Sequence, residues 1–224
     1  CSSDLVDTGM HRLGFSPEEL SDVLSKLQSC ESVQSNIGLM THFASADERL
    51  NPENDAQISL FNSLELPSGE YTKSLGNSAA ILSRSNDLAD VVRPGIMLYG
   101  VSPFFEENGV DHNLKPVMHF ISEITAVHDY PKDTKVGYGG TWVTKRPSRI
   151  GVVAVGYGDG YPRHIKPATC VYINGYSVPI VGRVSMDTLT VDLTDFPSVC
   201  IGSTVELWGE NIPVEEVARN SNTI

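Results

Sequence analysis

Basic residues are scarce: 16 Lys and Arg stand against 28 Asp and Glu, a net charge of −12 over 224 residues. Neutralising the phosphates of a nucleic acid needs a basic face, so nucleic acid is excluded as a partner. A small anionic ligand is not excluded, because a few arginines and backbone N–H groups can hold one locally. Cysteine is scarce too. Cys1, Cys30, Cys170 and Cys200 are scattered, with no CxxC pair. That rules out a disulfide scaffold and points to reduced thiols of a cytoplasmic protein, mostly filling the core. The six histidines are not paired with cysteines at ligand spacing, so no metal site is expected. No apolar run reaches the roughly 18 residues of a membrane-spanning helix. There is no internal repeat and no low-complexity tract.

What is present divides in two. The first half alternates strands and helices. Ser16-Pro17-Glu18-Glu19 predicts a helix start, with Ser16 as N-cap, Pro17 at the first helical position and Glu19 closing a capping box. Leu20, Val23, Leu24 and Leu27 continue it at helical spacing. Ile37 to Phe43 suits a buried parallel strand. Asp55 to Leu66 predicts a second helix with Ile58, Phe61 and Leu64 on one face. Lys73 to Gly76 is strand-like, Asn77 to Leu82 helical, and Val91 to Tyr99 contains a further strand broken by Pro94-Gly95. This βαβα order implies a parallel sheet with outer helices. Only about four strand slots fit, whereas a closed parallel barrel needs about eight.

After Pro103 the pattern becomes all-β. Val117 to His128, Ile150 to Val155, Cys170 to Ile173, Val178 to Val181, Leu189 to Leu193 and Thr204 to Trp208 read as strands of a β-barrel or sandwich. Asn174-Gly175 signals a type I′ hairpin. Pro213 starts a last helix through Arg219. The expected domains are residues 1–112, α/β, and 113–224, all-β.

Several motifs carry possible chemistry. Gly137-Tyr138-Gly139-Gly140-Thr141 and Val155-Gly156-Tyr157-Gly158-Asp159-Gly160-Tyr161-Pro162-Arg163 set tyrosines among glycines, where other groups can approach closely. Such tyrosines can be plain β-turn residues. They can also project a phenol into a site, and a phenol is a poor base unless cations lower its pKa. Arg12, His42, Arg93 and Arg163 are the candidate cations. Arg12 follows Asp7-Thr8-Gly9-Met10 near a strand end, and His42 ends a strand in Thr41-His42-Phe43. Ser78 stands at a helix N-terminus, as an N-cap or a phosphate ligand. Arg93 precedes the free N–H groups of Gly95 and Ile96.

Taken in this order, and followed by Val181-Gly182-Arg183-Val184-Ser185-Met186-Asp187, these motifs closely resemble the alanine racemase family from about Asp7 onward. The resemblance implies an N-terminal (β/α)8 barrel, a C-terminal β domain and pyridoxal 5′-phosphate as cofactor. It implies a homodimer with sites shared between subunits, and interconversion of L- and D-alanine through a cofactor aldimine by a Tyr/Lys two-base mechanism. The D-alanine would supply peptidoglycan. By the same resemblance Tyr138 is the catalytic tyrosine. Arg93 faces the pyridine nitrogen, and His42 links Arg93 to Tyr138. Ser78, Gly95 and Ile96 bind the phosphate. Arg12 lies near the cofactor's phenolic oxygen and the substrate carboxylate, which the Met186 N–H also holds. Tyr157 and Arg163 belong to the substrate entrance.

The sequence departs from the family in three places. None of its seven lysines lies in a Lys-x-Asn-x-Tyr-Gly motif, where the family's Schiff-base lysine sits. Leu5 stands two residues before Asp7, where many members carry lysine. The chain ends near Ile224, before a C-terminal tyrosine that contacts the phosphate. With Cys1-Ser2-Ser3 at the start, the expectation is an incomplete chain, inactive alone, and not a lipoprotein terminus. Two alternatives stay open: a non-catalytic binding or assembly module built on this fold, and a racemase of another small amino acid such as serine.

Overall fold

The computed structural model describes residues 3–34, 36–84 and 88–223. They form two compact units, one of residues 1–98 with 102–107 and one of 99–101 with 108–224.

The first unit is a parallel three-stranded sheet in the order β1 (Ser3–Leu5), β2 (Asn36–Met40), β3 (Glu70–Ser74). Three helices follow the strands: α1 (Leu20–Gln28), α2 (Pro52–Asn62) and α3 (Ser78–Ser83). Strand followed by helix, with parallel pairing, is the repeat from which a (β/α)8 barrel is built. Ile37 and Leu39 alternate inward on β2 and pack with Leu20, Leu24, Phe61 and Leu75. Each such buried side chain contributes about 1.5–3 kcal/mol relative to exposure.

Local signals were placed differently from expectation at several points. The Ser16–Glu19 segment closes a single turn, Glu19 N–H to Ser16 O, with the Glu19 carboxylate on the Ser16 N–H at 3.1 Å. That is half of a capping box on an i→i+3 turn, so α1 begins only at Leu20. The second helix starts earlier than Asp55. Asn51 caps it by accepting from Glu53 N–H at 3.0 Å, and Pro52 takes the first position. Its inner face is Asn54, Gln57 and Phe61, and Leu64 lies beyond its end. Lys73 to Gly76 is strand only as far as Ser74. Val91 to Tyr99 is not a strand. Pro94 lacks an N–H, and the chain after it coils into a 3-10 turn over Ile96–Tyr99, closed by Leu98 N–H to Gly95 O at 3.0 Å. Cys30 and Cys200 are exposed and Cys170 is half-buried, so these thiols are not core filler; Cys1 lies outside the described residues.

The second unit is a closed barrel of six antiparallel-paired strands. Around the ring they run β10 (Leu189–Asp192), β7 (Ser148–Val153), β4 (Phe120–Tyr130), β11 (Thr204–Trp208), β8 (Cys170–Ile173) and β9 (Tyr176–Val181). Alternate residues point inward, among them Val171, Ile173, Val178, Val191, Val205 and Leu207. The β8–β9 turn has positive φ at both Asn174 (50°) and Gly175 (90°), as a type I′ turn requires. Helix α4 (Val214–Asn220) adds Val217 to the same core. A short ribbon, β5 (Lys135–Val136) with β6 (Trp142–Val143), is a separate sheet that packs Val136 and Trp142 against Ile150 and Val181 of the ring.

Candidate active site

In a parallel sheet, ligands bind at the carboxyl ends of the strands. In the first unit the chemistry-bearing side chains follow that rule. The segment after β1 carries Asp7, Thr8 and Arg12. Thr41 and His42 follow β2, and Ser78 follows β3, with Arg93 on the returning chain. Asp7 shapes its segment. Its Oδ1 accepts from the N–H groups of His11 and Gly9, both at 3.0 Å, and these donors hold its carboxyl below the usual carboxylate range. Arg12, five residues on, is exposed.

Arg93 is half-buried and well held. Its guanidinium donates to Thr41 O at 2.6 Å and to the Ser74 hydroxyl. Ser74 in turn donates to Val91 O at 2.7 Å, and Arg93 N–H to Gly76 O at 2.8 Å. Burial lowers its pKa from the ordinary value, but an arginine stays charged at neutral pH. His42 is also half-buried. Burial pulls its pKa below the ordinary histidine value, and the charges of Arg93 and Arg12 add to the effect. The structure therefore brings Arg12, His42 and Arg93 into one electrostatic neighbourhood that favours the neutral imidazole.

Ser78 is not the N-cap of α3. Asn77 is, accepting from Ala80 N–H at 3.0 Å. The buried Ser78 hydroxyl instead accepts from Gly95 N–H at 2.8 Å and Met97 N–H at 3.3 Å. Ser78, Gly95 and Ile96 thus lie together, and Ile96 opens a 3-10 turn whose first N–H groups have no partner within the turn.

Behind these groups lies a polar layer that motif reading missed. Gln57, 3% exposed, sends its amide from α2 to Thr8, His42 and Ala44. The Thr8 and Thr41 hydroxyls meet at 2.7 Å. The signal available in the sequence was the pair Asn54 and Gln57 on the same stripe as Phe61.

In the second unit, Tyr138 sits at the tip of the β5–β6 ribbon, 70% exposed. Gly137 (φ 73°) and Gly139 (φ 71°) flank it in conformations that other residues rarely adopt. A side chain added at Gly139 would meet Arg183 Nη1 at 3.6 Å, so an exposed guanidinium lies beside this turn. Arg183 belongs to the Val181–Asp187 motif. The Tyr157 and Met186 motifs are joined directly: Tyr157 N–H donates to Ser185 O at 3.0 Å and Gly158 N–H to Met186 O at 2.8 Å. The Arg163 guanidinium lies 5.2 Å from the Tyr157 ring centre. Met186 is exposed. Tyr161, by contrast, is core: it is buried, stacked on Trp208 at 6.0 Å, and burial pushes its phenol pKa up.

Gly156 makes that junction possible. A Cβ there would lie 2.3 Å from both Ser185 O and Met186 O, closer than atoms can approach. Gly156→Ala should therefore force the Ser185–Met186 backbone away and cost about 1–3 kcal/mol of stability. Urea denaturation followed by Trp fluorescence measures this, and an unchanged midpoint would show that the Ser185–Met186 loop yields freely.

Comparison with known proteins agrees with this layout. The family model for the alanine racemase N-terminal domain matches residues 5–103, and that for the alanine racemase C-terminal domain matches residues 117–224. The alanine racemase of Legionella pneumophila (strain Lens) is 58% identical over 219 residues, 98% of this chain and 61% of the relative. That of Shewanella sediminis (strain HAW-EB3) is 50% identical over 221 residues, again 98% of this chain and 61% of the relative. Among solved structures, the biosynthetic alanine racemase from Pseudomonas aeruginosa is similar with a TM-score of 0.91 at 41% identity, covering 99% of this chain and 62% of that one. The alanine racemase from Bartonella henselae, solved with covalently bound pyridoxal phosphate, gives 0.83 at 33% identity, covering 99% and 61%. The chain thus spans about 61% of the length of the curated relatives it matches. With both domain models matched in succession over nearly all its residues, the chain belongs to the alanine racemase family.

Proposed function

We propose that this chain forms part of a pyridoxal 5′-phosphate-dependent enzyme that interconverts L- and D-alanine. The observation that carries the reading is Arg93: a half-buried cation at the strand ends, anchored on Thr41 O and Ser74, beside a histidine whose pKa burial and the neighbouring cations lower. The donor set suits the cofactor. The Ser78 hydroxyl and the N–H of Ile96 would offer donors to a phosphate, while the Gly95 N–H, bonded to the Ser78 oxygen, would orient that hydroxyl toward it. Arg93, His42 and Arg12 add no carboxylate that would repel it.

Pyridoxal 5′-phosphate, when bound, supplies an aldehyde for the substrate amine and a ring that takes up the electrons of the α C–H bond. The chain's residues do the rest. Arg93 would face the pyridine nitrogen with N–H donors it does not surrender, so that nitrogen stays an acceptor. Following the family, in which the catalytic tyrosine comes from the partner subunit, His42 would link Arg93 to that tyrosine. Tyr138 would hold or move the proton on one face of Cα at its Oη. Arg12 and the Met186 N–H would orient the substrate carboxylate, and Tyr157 and Arg163 would line the entrance. The chain supplies one of the two bases; a lysine in the family's motif would be the other. Following the family, the enzyme would be a cytoplasmic homodimer supplying D-alanine for peptidoglycan. Among the described residues no helix is long and apolar enough to cross a membrane.

The test is a hybrid in which the 219 matched residues of the Legionella pneumophila relative are replaced by those of this chain. The hybrid, loaded with pyridoxal 5′-phosphate, should racemise alanine, and the 224-residue chain alone should not. A folded, loaded hybrid with no racemisation would refute the reading.

A further inference from the structure

We propose that Gln57 is a positioning residue of this site: from α2 it grips the backbone at His42 and just after it, and ties that segment to the one carrying Arg12. The proposal rests on the racemase reading above.

The geometry is specific. Gln57 Nε2 donates to His42 O at 3.0 Å, and Gln57 Oε1 accepts from Ala44 N–H at 3.0 Å. The same Nε2 donates to the Thr8 hydroxyl at 3.1 Å. Both amide hydrogens and one oxygen lone pair are therefore committed, all to segments that carry site residues. Thr8 passes the connection on, because its hydroxyl meets the Thr41 hydroxyl at 2.7 Å while Thr41 O receives the Arg93 guanidinium at 2.6 Å. The stem of Gln57 also packs against Gly9, where a Cβ would lie 3.4 Å from Cγ and where φ is 145°. One turn earlier, Asn54 Nδ2 donates to Ser45 O at 3.1 Å and Glu48 O at 3.0 Å, holding the rest of the same loop.

A core role alone does not account for this choice. Gln57 is 3% exposed on the stripe that also holds Phe61, where an apolar residue of equal length would fill the space. A buried amide is costly unless its hydrogen bonds are made. Here they are made to the main chain around His42 and to Thr8.

The test compares Gln57→Met, which keeps length and volume, with Gln28→Met. Gln28 donates to Ser68 O at 3.1 Å and Tyr71 OH at 3.0 Å, away from the strand ends. On the 224-residue chain, hydrogen–deuterium exchange of the peptide spanning residues 41–48 should accelerate about tenfold in Gln57→Met. Peptides from β2 and from the closed barrel should keep their rates, and Gln28→Met should leave residues 41–48 unchanged. In the hybrid, Gln57→Met should lower kcat by about 10- to 100-fold, because small misplacements of catalytic groups are that costly. KM for alanine should move far less.

Faster exchange throughout the first unit, or kcat within twofold of the parent, would make Gln57 a stabilising residue only and overturn the proposal. Should Gln57→Met not fold, Thr8→Val removes one of its partners at smaller volume change. It should give the same two effects at lower amplitude, and a silent Thr8→Val would equally overturn the proposal. If the parent hybrid does not racemise alanine, the racemase reading fails, and the exchange measurement alone decides whether the clamp exists.

Discussion

Replacing Tyr138 by Phe in the hybrid should cut racemisation by about 10²–10⁴-fold, the usual loss when a positioned acid–base group is removed. The substitution deletes one hydroxyl from a side chain that is 70% exposed, so it removes little packing. Stability and the affinity for pyridoxal 5′-phosphate should stay near those of the parent. Exchange of the substrate α-hydrogen with solvent should be lost on one face of Cα and kept on the other. Following deuterium incorporation from each enantiomer separates the two faces. Racemisation within a few-fold of the parent would make Tyr138 an ordinary turn residue at the tip of its ribbon.

Arg93→Leu should have effects of similar size for a different reason. Removing an electrostatic donor from an active site typically costs about 10²–10³-fold in turnover. The loss also strips Thr41 O of its donor, a buried-acceptor penalty of about 1–3 kcal/mol. A second readout needs no cofactor. Arg93 is one of two cations that oppose charge on His42, so its removal should raise the His42 pKa toward the ordinary value. NMR titration of the imidazole in this chain measures that directly. The pH dependence of stability follows in sign. With the folded pKa depressed, the unfolded chain binds the proton first, so His42 makes stability fall as pH drops below about 6.5. In Arg93→Leu that fall should be shallower. An unmoved His42 pKa would place Arg93 too far from the ring for the role assigned to it.

The barrel strands were the easiest part to read in advance. Cys170–Ile173 and Thr204–Trp208 came out with the expected ends, because alternating burial on a closed barrel writes itself as alternating apolar residues. Asn174-Gly175 fixed the hairpin of Cys170–Ile173 with Tyr176–Val181 for the steric reason that both turn residues need positive φ. Helix starts were less legible. Ser16-Pro17 and Asn51-Pro52 carry the same signature, yet only the second caps a helix: Asn51 accepts from the Glu53 N–H, whereas after Ser16 the first helical bond starts from Glu19, which accepts from the Val23 N–H. The ordered motifs named Arg12, His42, Ser78, Arg93 and Tyr138 as site candidates. They could not reveal that Ser78 bonds the Gly95 and Met97 amides while Asn77 does the capping. Asn54 and Gln57 escaped notice for a physical reason. Pattern reading equates polar with exposed, and these two amides are buried because the main chain of a neighbouring loop satisfies them.

That last arrangement bears on how the loop after β2 can vary. The bonds from α2 end on His42 O, Ala44 N–H, Ser45 O and Glu48 O, groups that every amino acid carries apart from the N–H that proline lacks. The identities of residues 44 and 45 are therefore free as far as this frame is concerned, with proline barred only at 44. The instruction that fixes His42 is held by two amide side chains one turn apart on a helix. Positions 44 and 45 are left open to drift, or to selection for other properties, without disturbing the histidine, while Phe43 and Ala46 on either side of them stay in the core.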